Sequence, residues 1–255
     1  MNKLITILLS PLAIGRLVVA FGFTFIMYIS SVILNLFYKN LPEQLMWAMM
    51  GYWSRNMLNI MGVKLHVEYQ ENPNKPALIL SNHRSYIDIF VNLAINPARI
   101  IAKKEIASWP MFGHGFKMYD TLIIDRSSMK SRMNNIRKME NVLLDNKSLI
   151  IYPEGTTHRG PEIGPIKEST YRIASNNNIR VYPVAIEYKN QDDAWVGDDL
   201  FVPHFIRRGG IPIRHVGVKV GRSIQTTDNK ALKHHVEDFM TNETLRMRRE
   251  FDKEK

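Results

Sequence analysis

Ala77-Leu78-Ile79-Leu80-Ser81 followed by Asn82-His83-Arg84-Ser85-Tyr86-Ile87-Asp88 is the stretch that decides the fold. The first five residues form a short apolar run, as expected of a strand buried on both faces. The next seven set an imidazole and a carboxylate five residues apart, His83 and Asp88, where that strand ends and a helix begins from about Tyr86. Open α/β sheets gather their chemistry at this position.

A second pair of elements repeats the arrangement. Ser148-Leu149-Ile150-Ile151-Tyr152 reads as another buried strand, and it runs into Pro153-Glu154-Gly155-Thr156-Thr157-His158-Arg159. If the two strands are parallel, both polar loops open on one edge of the sheet. Outward from these, Val63 to Tyr69 alternates as a strand, and Glu71-Asn72-Pro73-Asn74-Lys75-Pro76 is a turn cluster. Ala102-Lys103-Lys104-Glu105 reads as a basic link, and Met111 to Tyr119 as a helix. Further strands are expected at Thr121 to Asp125, Val181 to Glu187 and Arg214 to Val220. Helices are expected at Met129 to Asp145, Lys167 to Ser175 and Lys230 to Glu250, the last as a charged, solvated face. This alternation argues for an α/β fold with a largely parallel or mixed sheet covered by helices.

The N-terminal part differs in character. Leu17 to Tyr38 holds 22 residues without a charge, which as a helix would reach ~33 Å against a hydrocarbon core of ~30 Å. Leu4 to Gly15 resembles a signal peptide, but the apolar character continues well past Ala20, so a retained anchor fits better. Whether this anchor spans a bilayer or dips into one leaflet as a hairpin is open. Glu43 to Gly62, rich in methionine and tryptophan, has a broad apolar face that suits either headgroups or the protein core. The expected organisation is a membrane-anchoring helical segment over 1–62 and an α/β domain over 63–255.

Composition narrows the functional classes. With 255 residues, 45% apolar and 23% charged, the chain is a folded protein with one substantial core. It has no cysteine, which removes thiolate metal sites and cysteine nucleophiles. A net charge of +10 behind an apolar leader suits an anionic phospholipid surface. No interleaved aromatic and basic pattern supports nucleic acid as a partner.

His83 and Asp88 admit two readings. In one, Ser85 caps the following helix and Asp88 faces the free N–H groups of its first turn. In the other, Asp88 fixes the tautomer of His83 and the imidazole takes a proton from an alcohol. No Gly-x-Ser-x-Gly elbow supplies a serine nucleophile, so the alcohol would belong to the substrate. Glu154-Gly155-Thr156 is by itself an ordinary strand-to-loop turn. Lys103, Arg126 and Arg159 flank these strands, singly as surface charges or together as a phosphate clamp.

Five fragments in order, Asn82-His83-x4-Asp88, Ala102-Lys103-Lys104-Glu105, Leu122-Ile123-Ile124-Asp125-Arg126, Tyr152-Pro153-Glu154-Gly155-Thr156 and Val181-Tyr182-Pro183-Val184-Ala185, resemble the 1-acylglycerol-3-phosphate acyltransferase family. The resemblance covers Leu45 to Ile224. It implies the glycerolipid acyltransferase fold and acyl transfer from acyl-CoA or acyl-carrier protein to a lysophospholipid hydroxyl, without metal or bound cofactor. By that likeness His83 is the general base and Asp88 its orienting partner. Glu154, Gly155 and Thr156 position the acceptor or stabilise the reacting centre, and Lys103 and Arg126 contact its phosphate. Cytosolic donors would place the active site on the cytoplasmic face of a membrane.

The chain departs from the family pattern at three places. Thr157 stands where an arginine usually follows the threonine, so Arg159 takes over phosphate binding or the headgroup differs. Asp120 and Ser169 replace glycines. These changes leave the His83 and Asp88 chemistry intact and keep other lysophospholipids or a lyso-aminolipid open as acceptors. A non-catalytic membrane lipid-binding protein is the alternative of a different class.

Overall fold

The computed structural model describes residues 3–38, 42–73, 76–104, 112–125 and 127–254. Two helices, α1 (Lys3–Tyr38) and α2 (Glu43–Ile60), precede β1 (Val63–Tyr69), β2 (Leu78–Ser81), α3 (Ile87–Ile95) and β3 (Ile101–Lys103). Then follow α4 (Phe112–Met118), β4 (Leu122–Ile124), α5 (Met129–Leu144), β5 (Leu149–Ile151), α6 (Glu168–Asn176) and β6 (Val181–Tyr188). The chain closes with α7 (Phe201–Gly209), β7 (Arg214–Val220) and α8 (Asn229–Lys253).

Five strands form one sheet in the order β1-β7-β6-β2-β5, and β3 pairs with β4 in parallel. Arg99, just before β3, continues the sheet beyond β5: its N–H donates to Ser148 O at 3.2 Å and its carbonyl accepts from Ile150 N at 2.8 Å. The sheet is mixed. β2 runs parallel to both β5 and β6, while β6 and β7 are antiparallel.

The apolar runs of the central strands are uninterrupted because both faces are covered. Ile79 and Ile150 point into a core with Met50, Met57, Leu58, Ile87, Val91 and Phe205, beneath α1, α2, α3 and α7. Leu78, Leu80, Leu149 and Ile151 point the other way, onto residues of α6 and α8 such as Tyr171, Leu232, Val236 and Met240. One-residue alternation therefore feeds two cores from a single strand. The C-terminal helix, expected as a solvated face, instead buries Leu232, Val236, Met240, Met247 and Phe251. Its charges occupy the remaining positions of the helix and had masked a helical apolar stripe.

The two N-terminal helices settle onto the same body. α2 buries Met46, Met49, Met50, Met57 and Leu58, the core-facing outcome of its methionine-rich face. α1 is long and apolar enough to cross a membrane, yet it lies along the protein and makes polar contacts at four levels. Arg16 donates to the carbonyls of Gly209 at 2.7 Å, Ile211 at 2.6 Å and Pro212 at 2.7 Å. Thr24 accepts from Trp53 Nε1 at 3.1 Å, Tyr28 meets His114 Nδ1 at 2.7 Å, and Ser31 meets the Tyr119 hydroxyl at 2.7 Å. The outer face of α1 exposes Ile7, Leu8, Val18, Phe25, Ile26, Leu36 and Phe37.

Asp120, at a position where the family pattern has glycine, adopts φ 50°. Its carboxylate pairs with the buried Arg99 at 2.7 Å, and Arg99 also reaches Glu43 of α2 at 3.1 Å. The guanidinium lies 5.1 Å from the centroid of the Trp47 ring. An unfavourable backbone conformation is thus coupled to an ion pair that a glycine would not make.

Candidate active site

The parallel pairing of β2 with β5, Leu80 opposite Ile151, delivers the two polar loops to one edge. His83 and Tyr152 are close enough to stack, with ring centroids 4.1 Å apart and planes inclined by 19°. The imidazole Nδ1 lies 2.8 Å from Asp88 Oδ2. A carboxylate partner at Nδ1 fixes the proton there and leaves Nε2 as the basic nitrogen. The His83 side chain is 18% exposed and that of Asp88 fully buried, so the pair opens outward only through the imidazole.

Asp88 does more than hold the ring. Its Oδ2 also accepts the amide hydrogens of Arg84 at 2.5 Å and Ser85 at 2.8 Å. These amides precede α3, so the carboxylate shapes the loop rather than capping the first turn. Tyr86 is the N-cap and makes no side-chain capping bond, while the Ser85 hydroxyl is buried without a partner among the described residues. The helix-capping expectation is corrected in this form: Asp88 satisfies backbone donors, but those of the loop carrying His83. The other carboxylate oxygen, Oδ1, accepts from the Tyr188 hydroxyl at 2.6 Å. Burial, and next the Asp88 charge, push the Tyr188 and Tyr152 hydroxyls well above the usual phenol range.

Glu154 joins the two loops. Oε1 accepts the His83 N–H at 2.7 Å and Oε2 the Gly164 N–H at 2.8 Å. It is buried, and desolvation raises its carboxyl above the ordinary range against the pull of those two bonds. Gly155 follows with φ 73°, and a β-carbon there would collide with the Lys167 ammonium end. Thr156 is exposed beside them. Arg159 is exposed as well, with its guanidinium 3.7 Å from Asp192. Lys103 lies in β3 with its side chain outside the described residues, and Arg126 is itself outside them. Of the clamp expected of Lys103, Arg126 and Arg159, Arg159 is the member whose side chain is described, and it lies beside Asp192.

Four contributors carried no role in the sequence reading. Asn82 pairs with both backbone groups of Ile186, accepting at 2.7 Å and donating at 2.9 Å, and so locks the loop to β6. Arg84, 1% exposed, donates to the carbonyls of His158, Glu162 and Pro161 and pairs with Glu187 at 3.2 Å. Arg248 of α8 bonds the other oxygen of Glu187. His158 N–H closes on His83 O at 2.8 Å. Tyr152, Glu187 and Tyr188 stand at the C-terminal ends of β5 and β6, the one positional signal that could have singled them out.

A buried carboxylate on Nδ1 and an imidazole whose Nε2 has no hydrogen-bond partner among the described residues form a pair that can take a proton from an alcohol. The sequence holds no Gly-x-Ser-x-Gly motif, and an α/β fold with this pair at the ends of its parallel strands is an arrangement compatible with group transfer to a substrate hydroxyl. Residues 63–187 match the Acyltransferase family model. Over those residues the chain is an acyltransferase-family domain, and it is similar to 1-acyl-sn-glycerol-3-phosphate acyltransferases. It is 26% identical over 212 residues to a lyso-ornithine lipid O-acyltransferase of Brucella abortus, covering 74% of this chain and 78% of that protein. A 1-acyl-sn-glycerol-3-phosphate acyltransferase of Neisseria meningitidis is 28% identical over 176 residues, 66% of this chain and 69% of the other. A lyso-ornithine lipid O-acyltransferase of Pseudomonas aeruginosa is 34% identical over 154 residues, but only 59% of its length is spanned. The crystal structure of a 1-acyl-sn-glycerophosphate acyltransferase from Thermotoga maritima superposes with a TM-score of 0.69 at 19% identity, covering 97% of this chain and 98% of that one, a likeness of fold.

Proposed function

We propose that this acyltransferase moves a fatty acyl group from acyl-CoA or acyl-carrier protein to the sn-2 hydroxyl of 1-acyl-sn-glycerol-3-phosphate, forming phosphatidate. The observation that carries the mechanism is the 2.8 Å contact between His83 Nδ1 and Asp88 Oδ2. His83 Nε2 takes the hydroxyl proton as the oxygen attacks the thioester carbonyl. The tetrahedral oxyanion collapses, the carbon–sulfur bond breaks, and the imidazolium returns the proton to the thiolate. Asp88 steadies the positive imidazolium between these steps. The reaction needs no bound cofactor. Thr156, Lys103, Arg126 and Arg159 serve the acceptor headgroup in this reading, and Glu154 and Gly155 shape the turn that presents them.

A second acceptor is favoured by specific features. Thr157 removes the arginine of the family pattern, and Arg159 stands next to Asp192, an arrangement better matched to a zwitterionic headgroup than to a phosphomonoester. Two relatives described above carry the name lyso-ornithine lipid O-acyltransferase. The test is acyl transfer by the detergent-solubilised protein from labelled acyl-CoA and acyl-carrier protein to both acceptors, with His83→Ala alongside. Retained turnover in that variant would sink the mechanism. Transfer to lyso-ornithine lipid alone would move the acceptor and keep the chemistry. Tight lysolipid binding with no turnover would make the chain a binding protein.

The apolar outer face of α1 supports a membrane as the workplace, with the site on the cytoplasmic side where such donors are found. Contacts from Arg16 to Ser31 hold the other face of α1 to the body. A helix engaged in this way lies along one leaflet instead of crossing the bilayer.

A further inference from the structure

Tyr188 carries a buried hydroxyl that the reaction leaves without a task. It ends β6, is 2% exposed, and donates to Asp88 Oδ1 at 2.6 Å. Asp88 Oδ2 is already taken by the imidazole and by the amides of Arg84 and Ser85. Among the described residues Tyr188 is therefore the side-chain donor that fixes the far oxygen, and with it the plane of the carboxylate. We propose that Tyr188 is a positioning residue for acyl transfer, acting through Asp88 to set the direction and strength of the carboxylate's hold on the His83 imidazole. This rests on the reading of His83 as the base.

The phenol is well placed for the task because its own position is set elsewhere. Tyr188 is paired with Val216 across the β6/β7 ladder, and its carbonyl accepts from Arg248 Nη2 at 2.6 Å. The neighbouring Lys189 carbonyl accepts from Arg248 Nη1 at 3.1 Å. The strand, anchored by α8, thus holds the hydroxyl against Asp88 whatever occupies the loop. Other ionisable groups face the pair. Tyr152 stacks on the imidazole, Glu154 holds the His83 amide, Arg84 follows in the loop, and Asp193 and Arg214 bear on Tyr188 from beyond. Since burial keeps the Tyr188 hydroxyl protonated, it acts as a constant donor throughout the pH range of an assay.

The bond has a predictable effect on the base. A hydrogen bond to Oδ1 withdraws charge from the carboxylate and tempers its pull on the imidazolium. Without it, Asp88 keeps more charge facing His83, the imidazole holds its proton more tightly, and the carboxylate gains freedom to rotate.

The experiment measures kcat, KM and the pH profile of Tyr188→Phe in the full-length protein. A fall in kcat of about tenfold with KM unchanged is expected, as for one lost hydrogen bond to a charged group. The acid limb of kcat/KM should move to higher pH. In the Asp88→Asn background the same substitution should cost no further rate. Wild-type kcat and acid limb in Tyr188→Phe, or losses that simply multiply in the double variant, would overturn the proposal. Should Tyr188→Phe not fold, 3-fluorotyrosine at position 188 supplies a stronger donor of nearly the same shape. Its acid limb should move to lower pH, and an unmoved limb overturns the proposal equally. Activity surviving in His83→Ala would instead remove the reading beneath it.

Discussion

Glu154 holds His83 by its main chain: Oε1 accepts the His83 N–H at 2.7 Å while Oε2 accepts that of Gly164 at 2.8 Å. Glu154→Gln turns one acceptor into a donor facing an amide hydrogen. The variant should lose about 1–3 kcal/mol of stability and much of its activity, because the loop carrying the base loses a support. Its carboxyl is raised by burial, so the folded state binds the proton more readily than the unfolded chain. Stability from this group is then greatest below the ordinary glutamate range and is lost as pH rises through the raised value. The lead of the wild type over Glu154→Gln in thermal melts should narrow over that window. A gap that widens with pH would reverse the argument.

Gly155→Ala tests the turn that follows. Alanine must accept φ 73° and displace the end of Lys167. A loss of about 1–2 kcal/mol for the backbone alone is expected, with kcat/KM falling further than stability explains. Chemical denaturation beside initial rates separates the two.

Arg16 forks across three carbonyls at the end of α7, a geometry that a lysine cannot reproduce. Arg16→Lys and Arg16→Ala should both destabilise the protein, the latter by about 2–3 kcal/mol. Limited proteolysis should then cut near the α1–α2 junction sooner than in the wild type. Unchanged cleavage kinetics would mean that apolar packing alone docks α1.

Much of this architecture is legible in the sequence because its signals are local. Apolar runs of strand length ending in polar loops gave β2 and β5, and helical periodicity gave α5 and α6 close to their observed ends. β3 escaped because three residues, Ile101–Lys103, within a basic stretch carry no alternation. α7 escaped because Phe201–Gly209 contains a proline and ends in two arginines and a glycine. His83 and Asp88 are five positions apart and visible as a pair. Tyr188 meets the same carboxylate from 100 residues away, and Arg84 reaches Glu187 and the carbonyls of residues 158–162 across the loop. No spacing rule encodes a contact made only when strands assemble side by side.

Thr157→Arg restores the family pattern beside Thr156 and Gly155. The selectivity for a phosphomonoester acceptor over lyso-ornithine lipid, read as a ratio of kcat/KM values, should rise about tenfold, as for one new charged contact. An unmoved ratio would place headgroup selection outside this loop.

Asp120→Ala keeps the left-handed backbone, loses the tolerance of an aspartate for it, and takes a carboxylate from Arg99. Asp120→Gly loses only the carboxylate. Alanine should therefore be the more destabilising by about 1 kcal/mol, measurable from denaturant midpoints. Equal midpoints would show that the ion pair alone sets the cost.

The Arg16 clamp also orders events during synthesis. Its carbonyl partners lie 193 to 196 residues further along the chain. At ~5–20 residues per second, the ribosome needs about 10–40 seconds to make them after Arg16 has been added to the chain. Throughout that interval α1 has α2 to pack against, through contacts such as Trp53 Nε1 to Thr24, but not the carbonyls that Arg16 finally holds. The N-terminal half of α1 is therefore fixed to the end of α7 only when the chain is nearly complete, so this clamp closes late and across most of the length of the sequence.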